Sequence, residues 1–197
     1  MILSFRDADT AALAAGQRVR RWMFIERVAL RKLRQLDIAM RLSDLRVPPG
    51  NRLEALKGDR VGQFSIRINV QYRLCFRWTS AGPEDVEIVD YHEEGLAMSR
   101  KLKPVTPGEL LLEEFLLPLG ITKYRVAKEI GVPAQRIGEI VAGRRAISAD
   151  TDLRLCRFFG LSNGYWLRAQ AAQDMEIAAR EIAAELKRIK PWAGNAS

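Results

Sequence analysis

Apolar positions along the chain follow one rhythm after another. Residues 1–6, Met-Ile-Leu-Ser-Phe-Arg, alternate weakly and predict a short strand. From Ala8 to Arg20 and again from Ile25 to Met40 the apolar residues recur at helical spacing. In the second stretch Ile25, Val28, Leu33 and Leu36 share one side while Arg27, Arg31 and Arg34 lie away from it, which predicts an amphipathic helix with a basic face. Turn residues follow at Val47-Pro48-Pro49-Gly50. Gly62 to Asn69 and Gln71 to Trp78 then alternate with period two and carry many β-branched or aromatic residues, so two strands joined at Asn69-Val70 are predicted. Ser80-Ala81-Gly82-Pro83 reads as a turn and Val86 to Tyr91 as a third strand. This half is predicted to be α+β, two helices on an antiparallel sheet.

Residues 93–103 show neither period and read as a linker between a first domain, 1–92, and a second, 104–197. No strand signal returns after it. Thr106-Pro107-Gly108-Glu109 has the form of a capping box with proline at the first helical position, opening a helix to about Leu117. Further starts are predicted at Thr122, Pro133, Ser148 and Ser162, and a last apolar-periodic stretch from about Asp174 to Ile189. The second domain is therefore predicted to be all-α, with a longer tail helix. Leu161, Tyr165, Trp166 and Leu167 supply apolar surface there, either as core or as a dimer contact.

Composition narrows the function classes. No apolar run approaches the roughly 18 to 20 residues of a membrane span, and Asp7 and Asp9 stand where a signal peptide would be apolar, so a soluble, cytoplasmic protein without a membrane partner is expected. Cys75 and Cys156 lie far apart in apolar surroundings and read as buried free thiols. With a single histidine and no clustered thiols, no metal site and no cofactor are expected. The net charge of +8 points to a polyanionic partner, and both halves share it: 16 basic against 13 acidic residues before Met98, 16 against 11 from it onward.

The segment Thr122 to Gly143 places Val126, Ala127 and Ile130 on the inner face of one helix and Ile137, Ile140 and Val141 on that of the next, with Gly131 at the turn between them. This pattern resembles the Cro/XRE helix-turn-helix family. The flanks, Arg100-Lys-Leu-Lys-Pro-Val-Thr-Pro-Gly-Glu-Leu and Gly143-Arg-Arg-Ala-Ile-Ser-Ala-Asp-Thr-Asp-Leu-Arg-Leu, resemble HigA antidotes in particular, over about residues 98–192. The resemblance implies an autorepressor that binds operator DNA as a homodimer, with its second helix in the major groove. Ala134, Gln135, Arg136 and Glu139 then face bases: Gln135 suits adenine, Arg136 guanine, Ala134 a thymine methyl, and Glu139 either reads cytosine or repels. Lys123, Tyr124 and Arg144 are placed for phosphates.

In the first half, Arg52-Leu-Glu-Ala-Leu-Lys-Gly-Asp-Arg60, Phe64-Ser-Ile-Arg-Ile-Asn69, Tyr72-Arg-Leu-Cys-Phe76 and Asp90-Tyr91-His92 resemble the HigB branch of the RelE toxin superfamily, over about residues 1–92. That resemblance implies a ribosome-dependent, metal-independent endoribonuclease that cuts messenger RNA by attack of a ribose 2′-hydroxyl on its own phosphate. Such a step needs positive charge on the phosphate and groups to take and give a proton. Arg73 is the candidate phosphate clamp, Lys57 and Arg67 would hold the message, Tyr91 would stack on a base, and His92 would exchange a proton. Many relatives have histidine where this chain has Glu54, a carboxylate that can act as a base yet opposes an approaching phosphate. The expected whole is a toxin–antitoxin fusion whose RNA-cutting half is restrained by its antidote. The alternative is a DNA-binding regulator whose RelE-like half is an inactive interaction module.

Overall fold

The Asp7 carboxylate accepts hydrogen bonds from the Thr10 backbone N–H at 2.7 Å and from its hydroxyl at 2.6 Å, and so opens helix α1, Ala8–Ala14. In this computed structural model, which describes residues 1–90 and 102–190, α1 does not run on to Arg20. Gly16, at φ +75, turns the chain out of the helix, a conformation that costs a side chain dearly. A single 3-10 turn at Arg20–Trp22 precedes α2, Glu26–Ile38. The strand predicted at residues 1–6 shrinks to a parallel bridge between Phe5 and Val86.

Four antiparallel strands, β1 (Glu54–Ala55), β2 (Gln63–Arg67), β3 (Tyr72–Trp78) and β4 (Pro83–Asp90), lie in sequence order in one sheet. The Asn69 side chain accepts from the N–H groups of Gln71 and Tyr72 and so fixes the β2–β3 turn. Alternation sends Leu74 and Phe76, with Ile66 and Ile88, into a core shared with Leu33 and Leu36 of α2. Arg73, Cys75 and Arg77 fall on the opposite face. The α+β reading of this half holds, with β1 as an unforeseen edge strand.

The second half is all helical: α3 (Pro107–Leu110) runs through a π-helical stretch, Leu111–Leu116, into α4 (Leu117–Leu119). Then come α5 (Lys123–Glu129), α6 (Ala134–Val141), α7 (Ala149–Phe159), α8 (Tyr165–Glu181) and α9 (Ala183–Leu186). Thr122 and Ser148 cap α5 and α7 as predicted, their hydroxyls accepting from Arg125 and Thr151. Ser162 does not cap the next helix, which starts after Gly164, and the predicted tail helix is largely the continuation of α8. Tyr165 and Trp166 are fully buried and Leu161 nearly so, which settles them as core. Among the described residues no helix is long and apolar enough to cross a membrane.

The basic face of α2 is not bathed in solvent: it is the seam between the halves. Arg27 pairs with Glu109 and donates to the Lys103 carbonyl at 2.7 Å; Arg31 Nε donates to Glu114 at 2.7 Å; Arg34 reaches Glu176 at 2.8 Å. Glu109 therefore serves the seam, and the predicted capping box is only half formed, by the Thr106 hydroxyl. Lys32 and Glu114 are 3% and 4% exposed and bond to each other, and Lys32 also donates to Asn51 Oδ1 at 2.7 Å. Burial pulls the Lys32 ammonium below the usual lysine value against the opposing pull of Glu114. Burial alone would raise Glu114, but the Lys32 charge and hydrogen bonds from Lys32, Arg31 and Gln35 hold it below the usual carboxylate range. Asp44, also buried, takes the N–H of Ser162 at 3.0 Å and its hydroxyl at 2.8 Å. Around these bonds one apolar cluster runs unbroken from Trp22 and Leu45 to Phe115 and Trp166. Leu102 and Lys103, the end of the expected linker, are packed against this seam, with the Leu102 N–H on the Gly16 carbonyl at 2.8 Å. Tyr91, His92 and positions 93–101 lie outside the described residues.

Candidate nucleic-acid interfaces

The first candidate site is the sheet face turned away from α2. Register places Arg67 opposite Arg73, Ser65 opposite Cys75 and Glu54 opposite Ser65, so these side chains share that face. Arg73 Nη1 donates to Glu54 Oε2 at 2.7 Å and Nη2 to the Arg52 carbonyl at 3.4 Å. The residue expected to oppose a phosphate thus already occupies the expected clamp. Arg73 Nε and Ser65 Oγ are buried without a hydrogen-bond partner among the described residues. Arg67 donates through Nε to the Asn69 carbonyl at 2.9 Å, and Lys57 is exposed in the bend after β1. The structure gathers Glu54, Arg67 and Arg73 on one face, with Lys57 at its border.

Further features of this face involve residues that the sequence did not single out for the site. Arg60 bridges Gln63 and Glu87, the latter at 2.9 Å, and covers Cys75. Burial, outweighing that guanidinium, pushes the Cys75 thiol up to about 11, which leaves it an inert packing group. Arg52 holds a left-handed backbone at φ 45, unusual for a residue with a side chain, and this conformation presents its carbonyl to Arg73. A groove beside it is lined by Arg52, Arg67, Asn69 and Val70 from the first half and by Pro118 from the second. Pro118 brings the second half to the border of this face.

The second candidate site is the outer side of α6. Ile137 and Ile140 are buried, which turns Ala134 and Gln135 outward and leaves Arg136 and Glu139 at the flanks. Helix α3 grips α6 from behind: a Cβ on Gly108 would lie 2.9 Å from Val141 Cα and closer still to the Ile140 carbonyl, an approach only glycine permits. Lys123, Tyr124 and Arg144 are exposed around α6. Arg136 donates to Asp150 at 2.8 Å, Gln135 to Glu139 at 2.8 Å, and Arg145 to Glu139 at 2.7 Å. The Glu139 carboxyl is held below its ordinary value, first by the Arg145 bond and then by Gln135, so it remains an anion. Arg145 and Asp150 are the residues of this surface that sequence reasoning missed.

Comparison with known proteins agrees with both halves. A family model described as the RelE-like toxin of the type II toxin–antitoxin system HigB matches residues 18–92, and a helix-turn-helix model matches residues 112–166. Virulence-associated protein I of Dichelobacter nodosus is 41% identical over 85 residues, 43% of this chain and 79% of that protein. Antitoxin HigA-1 of Vibrio cholerae is 32% identical over 91 residues, 46% of this chain and 86% of that protein. Toxin HigB-1 of the same organism is 57% identical over 54 residues, 27% of this chain and 57% of that toxin's length. With a four-stranded sheet and its helices leading into a docked helix-turn-helix unit, the chain belongs to the HigB–HigA toxin–antitoxin family and carries both partners in one polypeptide.

Proposed function

We propose that this protein is a self-restrained toxin–antitoxin regulator: the HigA-like half binds operator DNA through α6 as a dimer, and the HigB-like half cuts messenger RNA on the ribosome when released. The observation that carries this reading is the seam. Arg27, Arg31, Lys32 and Arg34 of α2 meet Glu109, Glu114 and Glu176, so the antidote docks behind the sheet rather than over Arg73. Restraint then acts by bulk that bars access to the decoding site, and by Pro118 at the end of the groove, not by plugging the phosphate clamp. In cleavage, Arg73 takes the charge that develops on the phosphate, Glu54 moves off it and accepts the 2′-hydroxyl proton, and Arg67 and Lys57 hold the strand. His92 and Tyr91 supply the acid and the stacking surface that the resemblance assigns them. Exposed Met175 on α8, Ile182 at the α8–α9 junction and Leu186 on α9 offer the dimer contact.

One observation favours a second reading. The Glu54–Arg73 bond neutralises the clamp, which suits an inactive interaction module. Purified chain with ribosomes and messenger decides between them. A protease site introduced at Gly95–Met98, cleaved and then challenged with mild urea to separate the halves, is expected to yield ribosome-dependent cuts that vanish in Arg73→Ala. Absence of cuts under all conditions refutes the nuclease and leaves the binding module.

A further inference from the structure

The α6 surface is tied to the helix behind it by a chain of three charged groups. Arg154 on α7 donates through Nη1 to the Ile130 carbonyl at the end of α5, at 2.8 Å, and through Nε to Asp150 Oδ1, at 2.8 Å. The other oxygen of that carboxylate accepts from Arg136 Nη1, also at 2.8 Å. Asp150 is thus fixed on one side by an arginine anchored to the backbone, and on the other it fixes the arginine at the front of α6. The Asp150 carboxyl is held below its ordinary value, first by the Arg154 bond and then by Arg136, so the bridge is ionic at neutral pH. Among the described residues Arg136 is engaged through one nitrogen. A guanidinium carries five N–H groups in a rigid fork, which leaves donors for an incoming base edge.

We propose that Asp150 is a positioning residue for base recognition: braced by Arg154, it presents the Arg136 guanidinium in one orientation at the outer side of α6, and its charge keeps Arg136 from serving as a general phosphate contact. The proposal rests on the operator-binding reading above. Two physical effects combine in it. A long side chain ordered before binding loses less freedom when it meets its base, which strengthens the matched complex. The paired carboxylate also cancels the charge that Arg136 would otherwise offer to phosphates of any sequence, which weakens the unmatched complex, where no base edge takes that guanidinium. Specificity, the ratio of the two, gains from both.

The test uses the full chain and a duplex selected by it from a random-sequence library, compared with an unselected duplex of equal length. Asp150→Asn is expected to lower the selected-to-unselected affinity ratio about tenfold, within the range one bidentate base contact supplies. It should bind the unselected duplex at least as tightly as the wild type, with a steeper salt dependence. Arg136→Ala is expected to lose a similar part of the ratio, and Asp150→Asn added to it should lower the ratio no further. Asp150→Glu should restore part of it. Because Asp150 also lies in the first turn of α7, thermal melts of each variant read any loss of fold separately. Multiplying losses in the double variant overturn the proposal, as does an equal loss on both duplexes. If the wild type itself selects no sequence, operator binding falls and this inference with it; if the wild type selects and Asp150→Asn keeps the ratio, the inference alone falls.

Discussion

Glu114 is the residue on which docking of the halves should depend most. It accepts from Arg31 at 2.7 Å and from Lys32, and it is 4% exposed, so water cannot replace it. Glu114→Ala leaves the Lys32 ammonium buried with Asn51 as its remaining acceptor among the described residues, and a broken buried pair costs about 3–5 kcal/mol. Lys32→Met is milder, because Arg31 still neutralises Glu114; about 1–3 kcal/mol is expected. The double variant Lys32→Met with Glu114→Ala removes both charges. Arg31 keeps Glu109, at 3.4 Å, so the double should recover at least about 2 kcal/mol of the summed single losses. Urea denaturation at neutral pH, followed by circular dichroism with midpoint and slope compared, measures each corner of this cycle. Acid adds a check of sign. Glu114 is depressed in the folded state, so its contribution is complete above the ordinary carboxylate value near about 4.3 and is lost as pH falls through the lower folded value. The wild type should therefore lose stability below about pH 4 more steeply than the uncharged double variant. Single losses that simply add, or a Glu114→Ala cost under about 1 kcal/mol, would refute the claim that the seam is held by this pair.

Gly108→Ala should cost about 3 kcal/mol or more, since α3 and α6 must part to admit the methyl group, and thermal melting would show it. Arg52→Gly should raise stability by about 1 kcal/mol through relief of its left-handed backbone while lowering crosslinking of single-stranded RNA to the groove; a loss of stability would contradict the strain. Both thiols, pushed up to about 11 by burial, should resist iodoacetamide at pH 8 in the native state and react on unfolding. Ile182→Glu should convert a dimer to monomer in sedimentation, with the variant's melting no longer dependent on protein concentration, because Ile182 is 43% exposed and contributes little to the core.

Local signals in the chain were well kept. Period-two alternation at Phe64–Arg67 and Tyr72–Trp78 became strands, and the hydroxyls of Thr122 and Ser148 became caps, because both depend on neighbours a few residues away. What was not legible depends on distant partners. Arg31 read as part of a basic helix face, yet Glu114, 83 residues on, makes it a seam residue. Glu109 has the spacing of a capping box, but two arginines of α2 outbid the backbone N–H for its carboxylate, and Asp44 likewise draws off the Ser162 hydroxyl. At the candidate sites the residues were named correctly in kind but not in pairing. Nothing in Leu-Glu54-Ala shows that its carboxylate lies on Arg73, and Ser-Ala-Asp150-Thr reads as a helix start rather than as a brace for Arg136.

The apolar cluster shared by the two halves has a consequence for how such a pair can be controlled. Two separate chains dissociate when their concentration falls or when one is made in excess; here the stoichiometry is fixed at synthesis, and the contact is as complete in one molecule as in a thousand. Dilution cannot arm the toxin half. Nor can a protease strip the antidote from one end without first breaking the core around Phe115 and Trp166 on which Leu45 and Trp22 also depend, so damage to the guard endangers the weapon.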